Sequence, residues 1–121
     1  MTRNEQIAEK LGWYRGKRGV DRNYYFSGKG KNIICQCSFD FFNPEIEIEQ
    51  SKLLQAKMVA DGWGIEMRCY KFEDGLRYNR FCAIDDGDWN DPAFTGYADT
   101  EPAALHALFC KVYDIGVRNE K

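Results

Sequence analysis

The sequence predicts an α+β fold, an antiparallel sheet layered with about three helices in the order helix, hairpin, helix, hairpin, helix. Two observations carry this. Gly12-Trp13 and Gly62-Trp63 each close an apolar helical pattern with a glycine and a large hydrophobe. Glycine just past a helix takes the left-handed conformation without a side-chain penalty, and an apolar residue after it can fold back onto the last turn. After each stop the chain enters strand-like segments around a glycine turn and then meets a new helix start, Asn43-Pro44-Glu45 or Thr100-Glu101-Pro102.

The first helix is expected to start near Thr2, with Glu5 completing a capping box, and to place Ile7, Ala8 and Leu11 on one face before Gly12 ends it. Residues 23–26 and 32–37 are β-favouring, and Gly28-Lys29-Gly30 supplies the turn of a hairpin. Asn43 reads as the cap of the second helix, Pro44 as its first residue, and Glu45, Glu47 and Glu49 as charges opposing the positive end of its dipole. That helix should run to about Asp61, with Ile46, Leu53, Leu54, Ala56 and Ala60 as its apolar stripe and Met58 at the edge. Ile65, Met67 and Cys69 alternate with polar residues, and a strand returns from Tyr78 to Ile84 after Glu73-Asp74-Gly75. The closing helix places Ala104, Leu105, Leu108, Phe109, Val112 and Tyr113 on one broad face, with Gly116 as its stop.

A chain of 121 residues fits one domain, residues 1–121, and buries roughly two thirds of the surface of its unfolded form. With 44% hydrophobic and 30% charged residues and a net charge of −2, it matches neither a disordered nor a membrane composition. A polar N-terminus and five cysteines, an odd number mostly set in apolar patterns, lead to an expectation of a cytoplasmic protein with free thiols.

The charges are uneven. Between Trp13 and Lys31 stand Arg15, Lys17, Arg18, Arg22, Lys29 and Lys31 against the single acid Asp21, with Tyr14, Tyr24, Tyr25 and Phe26 interleaved. Cations and aromatics together can hold phosphates while stacking bases, so Arg15, Lys17, Arg18, Arg22, Tyr24, Tyr25, Lys29 and Lys31 form the first candidate binding surface. The pI near 5.4 is far from the basic footprint of a nucleic-acid domain. The acidic loop Asp85-Asp86-Gly87-Asp88-Trp89-Asn90-Asp91 is the second candidate, with Asp85, Asp86, Asp88, Trp89 and Asp91 facing a basic protein.

Several chemistries lack their residues. Gly28-Lys29-Gly30-Lys31 is not a phosphate-binding P-loop, because Tyr25 stands where the motif needs glycine and Asn32 where it needs a hydroxyl. The acidic loop is not an EF-hand, since its glycine comes early and the final glutamate is missing. Cys35-Gln36-Cys37 lacks zinc spacing, and in a regular strand both thiols would face the core. His106 and Cys110 share a helix face, but the spacing names no third orienting group, so His106 is expected on the helix surface. No catalytic residue, metal or cofactor is assigned.

Ile7-Ala8 with Leu11-Gly12-Trp13, Asp61-Gly62-Trp63 before a hairpin, and Ala98-Asp99-Thr100-Glu101-Pro102-Ala103-Ala104 opening the last helix resemble the small phage and prophage proteins described as phage ABA-sandwich domains. The resemblance implies a sheet layered with helices and a phage or prophage origin, and it offers no catalytic residues. The expected function is a non-enzymatic accessory protein, in the cytoplasm of a bacterial host, that binds and blocks or sequesters a host factor such as a defence system. The alternative is a nucleic-acid- or nucleotide-binding module using residues 13–31.

Overall fold

The computed structural model describes residues 2–71, 77–84 and 91–116. The turn expected at Glu73-Asp74-Gly75 and Asp85, Asp86, Asp88 and Trp89 of the acidic loop lie outside the described residues. The fold is α+β, with three α-helices and six antiparallel-paired strands among the described residues. The chain divides into two compact units, Met1–Asn43 and Pro44–Lys121.

In the first unit, α1 (Arg3–Lys10) opens on the expected capping box: the Glu5 amide donates to Thr2 Oγ1 at 3.1 Å, and the Thr2 amide donates to Glu5 Oε1 at 3.3 Å. It ends on Gly12, at φ +84°, with the Gly12 amide donating to the Glu9 carbonyl at 3.0 Å and the Trp13 amide to the Ala8 carbonyl at 2.9 Å. These are the paired bonds of a Schellman stop. The chain continues into β1 (Tyr14–Arg15), a short 3-10 turn at Gly19–Asn23, β2 (Tyr24–Ser27) and β3 (Ile34–Ser38), ordered β1-β2-β3. The hairpin of β2 and β3 was expected; the two-residue β1 was too short to read.

The ladder between β2 and β3 is irregular. Tyr25 pairs with Cys37 and Phe26 with Cys35, so Gln36 is skipped. The expectation that Cys35 and Cys37 both face the core is therefore corrected: Cys35 is exposed and Cys37 half-buried, because the skipped residue breaks the two-residue alternation. Trp13, Tyr25, Phe39 and Phe42 form an aromatic cluster, with ring centroids 5.0 Å apart for Trp13 and Phe42 and 5.5 Å for Tyr25 with each phenylalanine.

In the second unit, α2 spans Ile48–Ala60, later than expected. The Ser51 amide donates to the Glu47 carbonyl at 2.9 Å, making Glu47 and not Asn43 the cap. Residues 44–46 instead form a turn, which brings the Glu45 carboxylate 3.7 Å from His106 Nδ1. The apolar stripe is corrected with it: Leu54 and Met58 are buried beside Ser51, whereas Ile46, Leu53, Ala56 and Ala60 are exposed. The Ser51 hydroxyl is satisfied by the Ile48 carbonyl at 2.6 Å, which is how a polar side chain sits in this core. Gly62, at φ +99°, repeats the Schellman stop with bonds of 3.0 Å to Val59 and from Trp63 to Met58.

A second sheet follows, β4 (Gly64–Lys71), β5 (Arg77–Ile84) and β6 (Phe94–Ala98), ordered β4-β5-β6. The hairpin was expected and β6 was not. α3 (Glu101–Val112) is capped by Thr100, whose Oγ1 accepts from the Ala103 amide at 3.3 Å. It packs across β5 and β6 and against α2, burying Ala104, Leu105, Leu108 and Phe109. Its approach to β6 is so close that a Cβ at Gly96 would collide with the Ala104 carbonyl and the Leu108 amide. Gly116 is not the stop. Asp114 takes the left-handed position at φ +55°, and the Ile115 amide donates to the Cys110 carbonyl at 2.8 Å.

Candidate functional site

The basic segment of the first unit is shaped by its own arginines. Arg15 Nε and Nη2 donate to the Arg22 carbonyl at 2.9 and 2.6 Å, and the guanidinium lies 3.8 Å above the Phe39 ring. Arg22 Nε donates to the Lys17 carbonyl at 3.2 Å. Two side chains expected to meet a ligand thus hold the loop in shape. Gly16 is required where it stands, because Asp21 backbone atoms occupy the space a Cβ would fill.

What the folded loop leaves open is a groove of about 300 Å³ lined by Tyr14, Gly16, Lys17, Arg18, Asp21, Phe26 and Ile33. Tyr14 and Phe26, paired across β1 and β2, stack with centroids 6.4 Å apart, and the Tyr14 hydroxyl donates to the Gly28 carbonyl at 2.8 Å. Apolar rings and Ile33 line this groove beside the exposed cations Lys17 and Arg18 and one carboxylate. Such a surface suits an anionic ligand that also has apolar groups. Lys17 also borders a neighbouring depression with Arg15, Gly16 and Arg22.

The other expected residues lie elsewhere. Lys29 and Lys31 are exposed around the turn between β2 and β3, and Tyr24 is exposed at the start of β2. Tyr25 is only 3% exposed and belongs to the aromatic cluster. Burial, reinforced by the Glu5 carboxylate and opposed by Arg15, pushes its phenol up to about 12. Burial likewise pushes the Cys37 thiol up, with Cys35 adding to it. Of the acidic loop, Asp91 is described and is exposed.

In the second unit, His106 is 4% exposed, which corrects the expectation of a surface histidine. Its Nε2 lies 4.0 Å from Cys110 Sγ and its Nδ1 faces Glu45, so a carboxylate, an imidazole and a thiol stand in series. The carboxylate comes from the turn before α2, which sequence spacing within α3 could not reveal. Both His106 and Cys110 are buried by the packing of the second unit. Among the described residues no group of three or more histidine, cysteine or acidic side chains is assembled to hold a metal ion, and no helix is long and apolar enough to cross a membrane. No protein-family model matches the chain, and neither the curated proteins nor the solved structures contain a match.

Proposed function

We propose that the chain is a non-enzymatic binding protein, of the phage or prophage accessory kind that the resemblance implies, which blocks a host protein by docking on an acidic segment of it. The observation that carries this reading is the groove of the first unit, where Tyr14, Phe26 and Ile33 offer apolar surface beside exposed Lys17 and Arg18. Apolar burial supplies affinity at about 25 cal/mol per Å², and the cations select and steer an acidic partner. A protein segment matches both features. A net charge of −2 favours it over a phosphate polymer, whose binding draws on a broadly basic surface.

Fluorescence anisotropy with an array of acidic, aromatic-containing peptides and with a short single-stranded oligonucleotide, at low and high salt, tests the proposal. The parent is expected to bind a subset of the peptides and the Lys17→Glu/Arg18→Glu variant to lose them, with an unchanged melting temperature because exposed charges contribute little to folding. Oligonucleotide binding that falls steeply with salt, without peptide binding, would establish the nucleic-acid alternative.

A further inference from the structure

We infer that the first unit carries a second subsite of opposite sign: a cleft of about 210 Å³, lined by Glu5, Glu9, Trp13, Tyr14, Arg15 and Tyr25, that takes a cationic side chain, the ammonium of a lysine or the guanidinium of an arginine from a partner protein. The naming of a protein as partner rests on the reading above; the cleft and its charge do not.

Three independent features of the cleft point to a cation. Glu5 and Glu9 stand one turn apart on α1, so both carboxylates project from the same helix face. Glu5 uses Oε1 to cap Thr2. Glu9 has no ion pair among the described residues. The same cleft is lined by aromatic rings. The Schellman stop fixes Trp13 just past α1, its ring tilted at 43° against that of Tyr25 with centroids 6.0 Å apart, and Tyr14 adds a third ring to the lining. Ring faces attract ammonium and guanidinium groups, most strongly where water is partly excluded.

The third feature is Tyr25 itself. Its side chain is buried, yet its hydroxyl makes no hydrogen bond to any described residue. A buried hydroxyl without a partner is uncommon and costly. An entering N–H donor satisfies it directly, and its high pKa keeps it a neutral acceptor. Arg15, the one cation in the lining, is already committed to the Arg22 carbonyl and the Phe39 ring, and two carboxylates against one guanidinium leave the cleft net negative. Tyr14 lines both this cleft and the basic groove. A ligand that fills both presents an acidic and a basic group side by side, which a peptide can do and a nucleic-acid strand cannot.

The test follows the Trp13 indole N–H resonance by NMR while N-acetyl-lysine methylamide, its trimethylated form or N-acetyl-arginine methylamide is added, with the norleucine analogue as the uncharged control. The cations are expected to shift the resonance saturably and norleucine is not. Glu9→Gln should weaken the cations roughly three- to five-fold, as the loss of one partly screened charge contact, without lowering the melting temperature. Tyr25→Phe should weaken them as well, again with no fall in melting temperature, since the lost hydroxyl has no bond in the fold. An unshifted indole, an equal response to norleucine, or full cation affinity in Glu9→Gln would each overturn the inference. Acidic-peptide binding in Glu9→Gln and cation binding in Lys17→Glu/Arg18→Glu separate the two subsites, so that either reading can fail alone.

Discussion

Tyr113, at the end of α3, donates its hydroxyl hydrogen to the Asp61 carboxylate, which Lys57 also reaches at 3.2 Å. The hydroxyl first and Lys57 second hold the Asp61 carboxyl below the usual carboxylate range, while burial, then the Asp61 bond, drive the Tyr113 phenol upward. The depressed acid contributes stability above its unfolded value that is lost as pH falls through its folded value, below about 4. The raised phenol contributes stability below about pH 10 that is lost as pH rises beyond it. Tyr113→Phe should therefore lower the melting temperature by a few degrees near neutrality, and the difference should shrink at both extremes. Melting curves of parent and variant from acid to alkaline pH check this, and coincident curves would mean that the bond contributes nothing. Thiol chemistry offers a second prediction at this scale. Cys35 and Cys69 are exposed and Cys110 is buried, so an aromatic disulfide reagent followed by peptide mapping should label the first two well before the third.

All three helices end on the same pair of backbone bonds, and the two that use glycine could be read directly from the sequence. The third could not, because aspartate occupies the left-handed position less readily than glycine and Gly116 stood nearby as a better candidate. The caps at Thr2 and Thr100 were readable for the same reason: their partners lie within three residues. Asn43-Pro44-Glu45 misled because cap residues also suit turns, and here the turn is held beside His106 instead. β6 was hidden by Gly96, which weakens a strand pattern but is needed where α3 crosses it. Gly62→Val should cost about 1–3 kcal/mol through strain at the left-handed position, and Gly96→Ala a similar amount, about 1–3 kcal/mol, through overpacking against α3. Urea unfolding measures both, and a neutral Gly96→Ala would mean that the helix stands off the strand.

The second unit has a core of its own, in which Leu54, Met58, Ala83, Ala104, Leu105, Leu108 and Phe109 are buried. Residues 44–121 expressed alone are expected to unfold cooperatively, and Leu108→Ala should destabilise them by about 2–5 kcal/mol. A fragment that melts without a transition would show that this unit depends on the rest of the chain. The first unit illustrates why sites are harder to read than folds. Its charge was visible in the composition of residues 13–31, but the division of labour was not. Arg15 and Arg22 bind carbonyls, Lys17 and Arg18 face the groove, and Ile33 joins them from beyond the turn. None of these contacts has a local signature, and Tyr25 reads like its exposed neighbour Tyr24 until the aromatic cluster closes over it.

The skipped residue in the ladder of β2 and β3 has an evolutionary consequence. Paired residues share a face and facing alternates along a strand, so one residue inserted between Tyr25 and Phe26 and paired with Gln36 would close the ladder and turn Phe26 and Cys35 to the face of Tyr25 and Cys37. Cys35, now exposed, would then share the face of the half-buried Cys37. A single-codon insertion, with no substitution elsewhere, is thus enough to move a thiol from the exposed face of the hairpin to the half-buried one. Lineages of this chain can gain or lose an oxidation-sensitive surface by length alone.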